Sequence, residues 1–521
     1  MPRRNPPRRT SNRSKRPTAT SAADLDALFD ALDTAALAND ADQVSRLTKQ
    51  LWAARRQVPE VLAQRLVDNR ARLPGLALEL LSGFGPQAPT LLRRIADSRE
   101  APDIVRFGAQ RRAGWPERGQ AKRRRAFLET LADPQAALVE AVRQGTGGWL
   151  VDSEVLAEVL AYLVALPSEQ RADVTARVVS EVGRQAAWLL RALLHVPDPS
   201  LQRYALTHLV HWRDTGAEGA MMRLARTARS AALRNEARAA AQRLQLRPTD
   251  QDESSPERAY PPVSRAYLSL IDGDGGQVAI VVREWGPGAY LFVDVFHNEA
   301  FGIKSVLGIM RVDGAELEEM FAGFEAQELA LVEVELAALR GALAIGEEAN
   351  GAQRRPFPPE FELWEPLYHD ADPPPADEAI VVPELDDAAY PTRADLVKAS
   401  DRLADHPWFT SWGFDAESMF AAIAVAPQPS GLRLTDRQYR PIIAALFDDE
   451  QRARWRARLR RQAWLLDRSG DVRARDLALA TAAQLAHADA AALAKNPLLR
   501  KLVERSILQL TVSTIFDLGP F

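Results

Sequence analysis

Apolar residues recur at intervals of three and four through the first half of the chain. Leu25, Leu28, Phe29 and Leu32 fall on one helical face, as do Leu62, Leu66 and Val67, and then Leu76, Leu80 and Leu81. Pro59, Pro74 and Pro89, 15 residues apart, stand where such helices should begin. Proline suits a first helical turn because the N–H it lacks would have no partner there. Later starts are marked by Asp133-Pro134, Asp152-Ser153, Pro167-Ser168 and Asp198-Pro199, each a capping side chain or a proline ahead of an apolar run. The pattern predicts short helices joined by tight turns across residues 23–247.

Paired short helices without strands between them suggest an α-solenoid, with a plain helical bundle as the alternative. The stretch DPSLQRYALTHLVHW followed by AEGAMMRLARTARSAALRNEARAAAQRLQL resembles HEAT or armadillo repeats. The positions that carry the resemblance are Asp198, Pro199, Ala205, Leu206, Leu209, Arg234, Ala237, Ala240 and Leu244. It is best over residues 198–246, and it implies a stacked helical-repeat fold that presents a long groove.

The pattern changes after residue 247. Residues 248–262 lose apolar periodicity to Pro, Ser and acids and read as a linker. From 263 to 368, AYLSLI, QVAIVVREW and AYLFVDVFHN are β-branched and aromatic. Gly286-Pro287-Gly288 reads as a hairpin connection and Asp272 to Gly276 as the turn before it. Helical patterns at 315–325 and 329–349 complete a small α+β domain. FVDVFHNEAFGIKSVLG, with PFPPEFELW after it, resembles an uncharacterised bacterial α+β domain that carries a hairpin and then a Leu-Gly-Val-Lys-like stretch, here Phe301, Gly302, Ile303 and Lys304. That resemblance implies no activity. Residues 369–395 form an acidic, Pro-rich linker. Residues 396–521 are helical again, most clearly at 448–468, 472–487 and 497–511. The expected fold is mainly α: a HEAT-like solenoid, a small α+β domain and a C-terminal helical domain.

Composition narrows the chemistry. With no Cys among 521 residues, disulfides, thiolate metal sites and Cys nucleophiles are excluded. No long apolar run predicts a membrane span, and the basic N-terminus has no apolar core behind it, so a soluble, cytoplasmic protein is expected. The net charge is −4, which does not mark a nucleic-acid binder. Arg supplies 59 of the 66 basic residues, and with Ala so frequent this reflects GC-rich coding as much as phosphate binding.

Where the charge lies is more informative than how much there is. Residues 1–22 hold Arg3, Arg4, Arg8 and Arg9 among prolines, with no acid and no apolar periodicity. Such a tail is expected to be disordered and suits a polyanion. A second patch runs from Arg111-Arg112 to Arg123, Arg124 and Arg125. A third lies on the helix from 451 to 466, where Arg452, Arg454, Arg456, Arg458, Arg460 and Arg461 surround a narrow stripe of Trp455, Leu459, Ala463 and Leu466. Its arginines suit phosphate, a solvated surface, or the acidic linker upstream, which includes Asp370, Asp372, Asp377, Glu378, Asp386 and Asp387.

Candidate catalytic groups are few. His208 and His211 share a helical face but lack a third ligand at the spacing a metalloprotease needs. The Asp272-Gly-Asp274-Gly-Gly turn lacks the distal Glu of a calcium loop. In the strand 290–297, Asp294 alternates with Tyr290, Phe292 and Phe296, so a buried acid in need of a partner is expected. Lys304 is the expected ion-pair partner, and Asp294, His297, Glu299 and Lys304 together form the alternative acid/base cluster. No P-loop, Rossmann fingerprint or nucleophile elbow accompanies them.

The expectation is a non-enzymatic protein–protein interaction scaffold with no cofactor, its unidentified partner docking on the repeats with Trp149, Trp188 and Trp212 as candidate anchors. The alternative is a nucleic-acid-associated protein that grips phosphates through the tail and the Arg-rich patches.

Overall fold

The computed structural model describes residues 22–38, 40–113, 123, 126–145, 153–246, 261–286, 288–327, 329–368, 383–391, 393–426 and 434–517. Over the described residues the chain is mainly helical and carries a five-stranded antiparallel sheet. It forms two compact units, one of the helices up to residue 183 and one from residue 184 onward.

The first unit comprises α1 (Ala22–Leu37), α2 (Ala41–Ala53), α3 (Val58–Val67), α4 (Pro74–Ser82), α5 (Ala88–Asp97), α6 (Asp103–Ala113), α7 (Pro134–Gly145), α8 (Ser153–Ala165) and α9 (Ser168–Val182). Pro59, Pro74 and Pro89 all lie in the first turns of their helices, as the sequence predicts. Helices α1 to α6 share one core, in which Leu25, Phe29, Leu62, Leu66, Leu81, Leu92 and Ile95 are buried together. One buried cation also ties the helices together. Arg65 of α3 reaches Asp26 at 3.1 Å and Asp30 at 2.6 Å on α1, and its guanidinium lies over Phe29.

The second unit begins with α10 (Ala187–Leu193), α11 (Pro199–His211), α12 (Glu218–Thr227) and α13 (Ala231–Gln245). Asp198 caps α11 by accepting from the N–H groups of Ser200 and Leu201. These four helices fall in the same compact unit as the sheet and the C-terminal helices. A buried charge network joins them to the segment that follows the sheet. Arg223 of α12 donates two 2.8 Å bonds to Glu362, which lies beyond the sheet strands in sequence, and a 3.2 Å bond to Glu365. His195 meets the same Glu362 at 2.5 Å.

The sheet has strand order β4-β3-β2-β1-β5, built from β1 (Val263–Ser269), β2 (Gly276–Gly286), β3 (Ala289–Asn298), β4 (Gly302–Asp313) and β5 (Leu331–Glu333). A capping box of Asp313 and Glu316 starts α14 (Gly314–Ala326), whose Leu317, Phe321 and Phe324 cover Ile280, Val282 and Phe292. The opposite face is covered by α15 (Leu336–Gln353) and α16 (Phe361–Trp364). Trp364 lies so close to Gly308 of β4 that a Cβ there would come within 2.2 Å of its ring, so that strand position requires glycine. The sequence pattern places a helix over 329–349, but 331–333 is the edge strand β5 and the helix begins at Leu336.

Short helices α17 (Ala394–Lys398), α18 (Asp401–Ala404) and α19 (Ala416–Ala424) lead into α20 (Asp436–Leu446), α21 (Asp449–Arg468), α22 (Val472–His487), α23 (Ala490–Leu493) and α24 (Pro497–Asp517). Their core is aromatic: Phe409, Trp412, Phe447 and Trp455 are buried together. Among the described residues, no helix is long and apolar enough to cross a membrane.

Candidate functional site

The arginine row of α21 is largely consumed within the protein. Its apolar stripe, Trp455, Leu459, Ala463 and Leu466, is buried as the sequence indicates. Arg458 and Arg461 are also buried, and this corrects their assignment as polyanion-binding residues. Both converge on the carboxylate of Glu299, which is itself sequestered. Arg458 further donates to the Gly273 carbonyl and lies between Trp412 and Trp455. A cation in that position has surrendered its capacity for phosphate.

The neighbouring arginines are paired too. Arg456 grips Asp387 with bonds of 2.7 and 2.6 Å, and Arg460 bonds Glu384 and the Leu385 carbonyl. The acidic stretch therefore clamps onto this helix at 384–387, one of the outcomes its charge pattern allows. Burial of Asp387 alone would push its carboxyl up, but Arg456 and then Arg460 hold it below the usual range. Arg454, by contrast, is partly exposed and bonds the exposed Glu450 one turn away. Arg123 is exposed. Arg3, Arg4, Arg8, Arg9, Arg124, Arg125 and Trp149 lie outside the described residues.

The structure does not join Asp294 to Lys304, so the expected ion pair is not formed. Lys304 instead stands over the rings of Phe296 and Phe301 at 5.5 and 4.9 Å. Asp294 is half-buried on the face that α14 covers, opposite Ile280 and Leu307. Burial pushes its carboxyl up to about 6 against an opposing hydrogen bond from Leu307. His297 is on the other face, fully buried beneath α15, with neither ring nitrogen hydrogen-bonded. Glu299 belongs to Arg458 and Arg461. The four groups of the proposed acid/base cluster are thus dispersed over two faces and a domain contact.

The remaining sequence candidates have structural roles. His208 stacks on Tyr204 and contacts its carbonyl through Nδ1 at 3.0 Å. The Asp272 carboxylate accepts from the N–H groups of Asp274 and Gly276, closing its own turn. That turn docks the C-terminal helices: Gly273 N–H donates to Ser411, Trp412 Nε1 donates to the Ile271 carbonyl, and Ile271 N–H donates to Gln462. Trp188 and Trp212 are half-buried.

A cleft that the sequence does not reveal lies between α12, α13 and α15. It encloses about 870 Å³ and is lined by Arg226, Arg234, Arg238, Arg340 and Arg354, with Glu347, Glu348 and Tyr368 on its walls. Its geometry follows from the buried network. Arg223 turns into the core to meet Glu362, and Arg226, one turn later on α12, is exposed at the cleft. On α13, Arg234 and Arg238 stand one turn apart; Arg234 is steadied by the carbonyls of Ala228 and Arg229, and Arg238 by Asn235. Arg340 of α15 bonds the Tyr368 carbonyl at 2.5 Å. Arg354 ends α15 in a left-handed conformation at φ 51°. Tyr368 is buried, and its hydroxyl is pushed well above the usual tyrosine range by that burial and by Glu365 and Glu347.

These arginines come from two regions that the sequence reading assigns to separate domains, so no linear motif marks them. The density of Arg in RLARTARSAALRNEAR is the one local signal, and there it coincides with the repeat resemblance. Among the described residues, no cluster of His, Asp or Glu is arranged to hold a metal ion. No protein family, curated protein or solved structure matches the chain.

Proposed function

We propose that the chain is a non-enzymatic interaction protein of the cytoplasm, with helix pairs stacked in the manner of HEAT repeats offering the surface on which a partner protein docks. The observation that carries this reading is the chemistry of the cleft. Its described lining combines arginines with Ala225, Leu343, Ala344 and Ala352, two glutamates and a tyrosine, and includes no Ser, Cys, His or Lys. Guanidinium and apolar groups recognise and orient, and the other polar side chains in the described lining are Glu347, Glu348 and Tyr368. Arginine is also among the residues that most often dominate interface energies.

The buried ionisable groups support the same reading. Arg65, Arg223 and Arg458 each tie one helix to distant parts of the chain through carboxylates, which rigidifies the frame without lining an open site. The nucleic-acid alternative retains the tail and the patch around Arg123 but loses Arg458 and Arg461 to Glu299.

Capture of the tagged full chain from native extract, with and without nuclease, separates the two readings. Proteins retained regardless of nuclease are expected. Loss of every retained protein on nuclease treatment would transfer the function to nucleic-acid binding.

A further inference from the structure

We propose that the arginine-lined cleft between α12, α13 and α15 is a binding site for a carboxylate-rich segment of a partner protein. The proposal rests on the interaction reading and names the chemistry of the partner. Five guanidiniums face two glutamates in one cleft, which leaves a surplus of positive charge. Among the described residues, neither Arg226 nor Arg354 has a carboxylate at ion-pair distance, and both are exposed. The volume, about 870 Å³, admits several residues of a peptide.

The distribution of charge selects among anions. A compact phosphate group is best held where donors converge, at a helix N-terminus or a nest of N–H groups. Here the arginines are spread over separate walls, and three helix ends reach the cleft: the C-termini of α12, at Arg226, and of α15, around Gly351 and Arg354, and the first turn of α13, at Arg234. The two C-termini carry negative partial charge and the one N-terminal turn positive, so the helix ends do not converge on a single anion position. Glu347 and Glu348 repel a concentrated anion. Carboxylates spaced along a peptide can each meet one guanidinium in bidentate fashion and avoid these acids. Ala344 and Ala352 add accessible apolar surface to the same lining, backed by the buried Leu343 and Ala225, and suit small apolar side chains interspersed among the acidic ones.

The test uses the full chain and a fluorescein-labelled peptide of Glu and Asp interspersed with Ala and Leu, with pyrophosphate and single-stranded oligonucleotide as competitors. Binding is followed by anisotropy. The wild-type chain is expected to bind the peptide. The double variant Arg226→Ala and Arg354→Ala, both exposed and outside the buried network, should lose at least about tenfold in affinity, as the loss of charge-assisted bonds implies. Arg93→Ala, an exposed arginine of α5, removes a positive charge elsewhere and should change nothing. Matching thermal midpoints will show that the variants are folded.

Equal peptide affinity in the double variant and the Arg93→Ala control overturns the proposal. So does displacement of the peptide by pyrophosphate or oligonucleotide at lower concentration than by unlabelled peptide. If the peptide fails while nuclease-resistant protein capture persists, the ligand class is wrong and the interaction reading survives. Failure of both removes both.

Discussion

Arg458 and Glu299 are 159 residues apart in sequence and meet in the interior, where Arg458 reaches one oxygen of Glu299 from Nε at 3.0 Å and from a terminal nitrogen at 2.5 Å. Arg461, one turn on, takes the other oxygen. A single carboxylate at the end of β3 thus neutralises two cations of α21 and fastens the sheet to the C-terminal helices.

Removing that carboxylate leaves two buried guanidiniums without a counter-charge. Glu299→Gln is expected to destabilise the protein by about 3–5 kcal/mol, the range for breaking a buried pair from one side. On the same helix, Arg454→Ala breaks only an exposed pair with Glu450 and should cost less than about 0.5 kcal/mol. Urea unfolding of the two variants measures the contrast. Similar small losses in both would show that Arg458 and Arg461 are solvated.

His297 makes the protein sensitive to acid. Burial, and then the charge of Arg461, hold its imidazole down at about 3. The folded state therefore binds fewer protons than the unfolded chain between about pH 6.5 and 3, so stability is full above that window and falls as pH falls through it. At pH 5 the loss is about 2 kcal/mol. His297→Leu should remove this component, which a comparison of unfolding midpoints at pH 7 and pH 5 will show. An unchanged difference between the two pH values would contradict the assignment.

Asp294 acts in the opposite direction. Its carboxyl is raised to about 6 by burial, so the folded state binds more protons than the unfolded chain between about pH 4 and 6. Stability is lost as pH rises through that window. Asp294→Asn is expected to stabilise the protein by about 1–2 kcal/mol at pH 7, an amount reduced for partial solvation, and to be neutral near pH 4. Thermal midpoints at the two pH values check the sign. A destabilised variant at pH 7 would mean that Asp294 has a partner for its charged form.

The sequence pattern carried the helices well where one side faces a core. Periodicity alone places a helix over 472–487, and α22 has the same limits, with Asp471 as its cap. It carried β4 poorly, because Gly302, Lys304, Ser305 and Gly308 interrupt the β-branched run and Trp364 fills the space above Gly308. The charge pattern was ambiguous for a physical reason: a row of arginines on a helix has the same sequence whether it faces water or a buried carboxylate. Glu299 and Arg458 are too far apart in sequence for periodicity to pair them. The cleft was illegible for the same reason, since Arg226 and Arg354 meet only through the packing that Arg223 and Glu362 impose.

The most direct test is a side-by-side capture from native extract by three tagged full-length chains: wild type, the Arg226→Ala/Arg354→Ala variant and the Arg93→Ala control. We expect wild type and control to retain the same nuclease-resistant proteins, enriched in acidic segments, and the double variant to lose them. Identical retention by all three would contradict docking at the cleft.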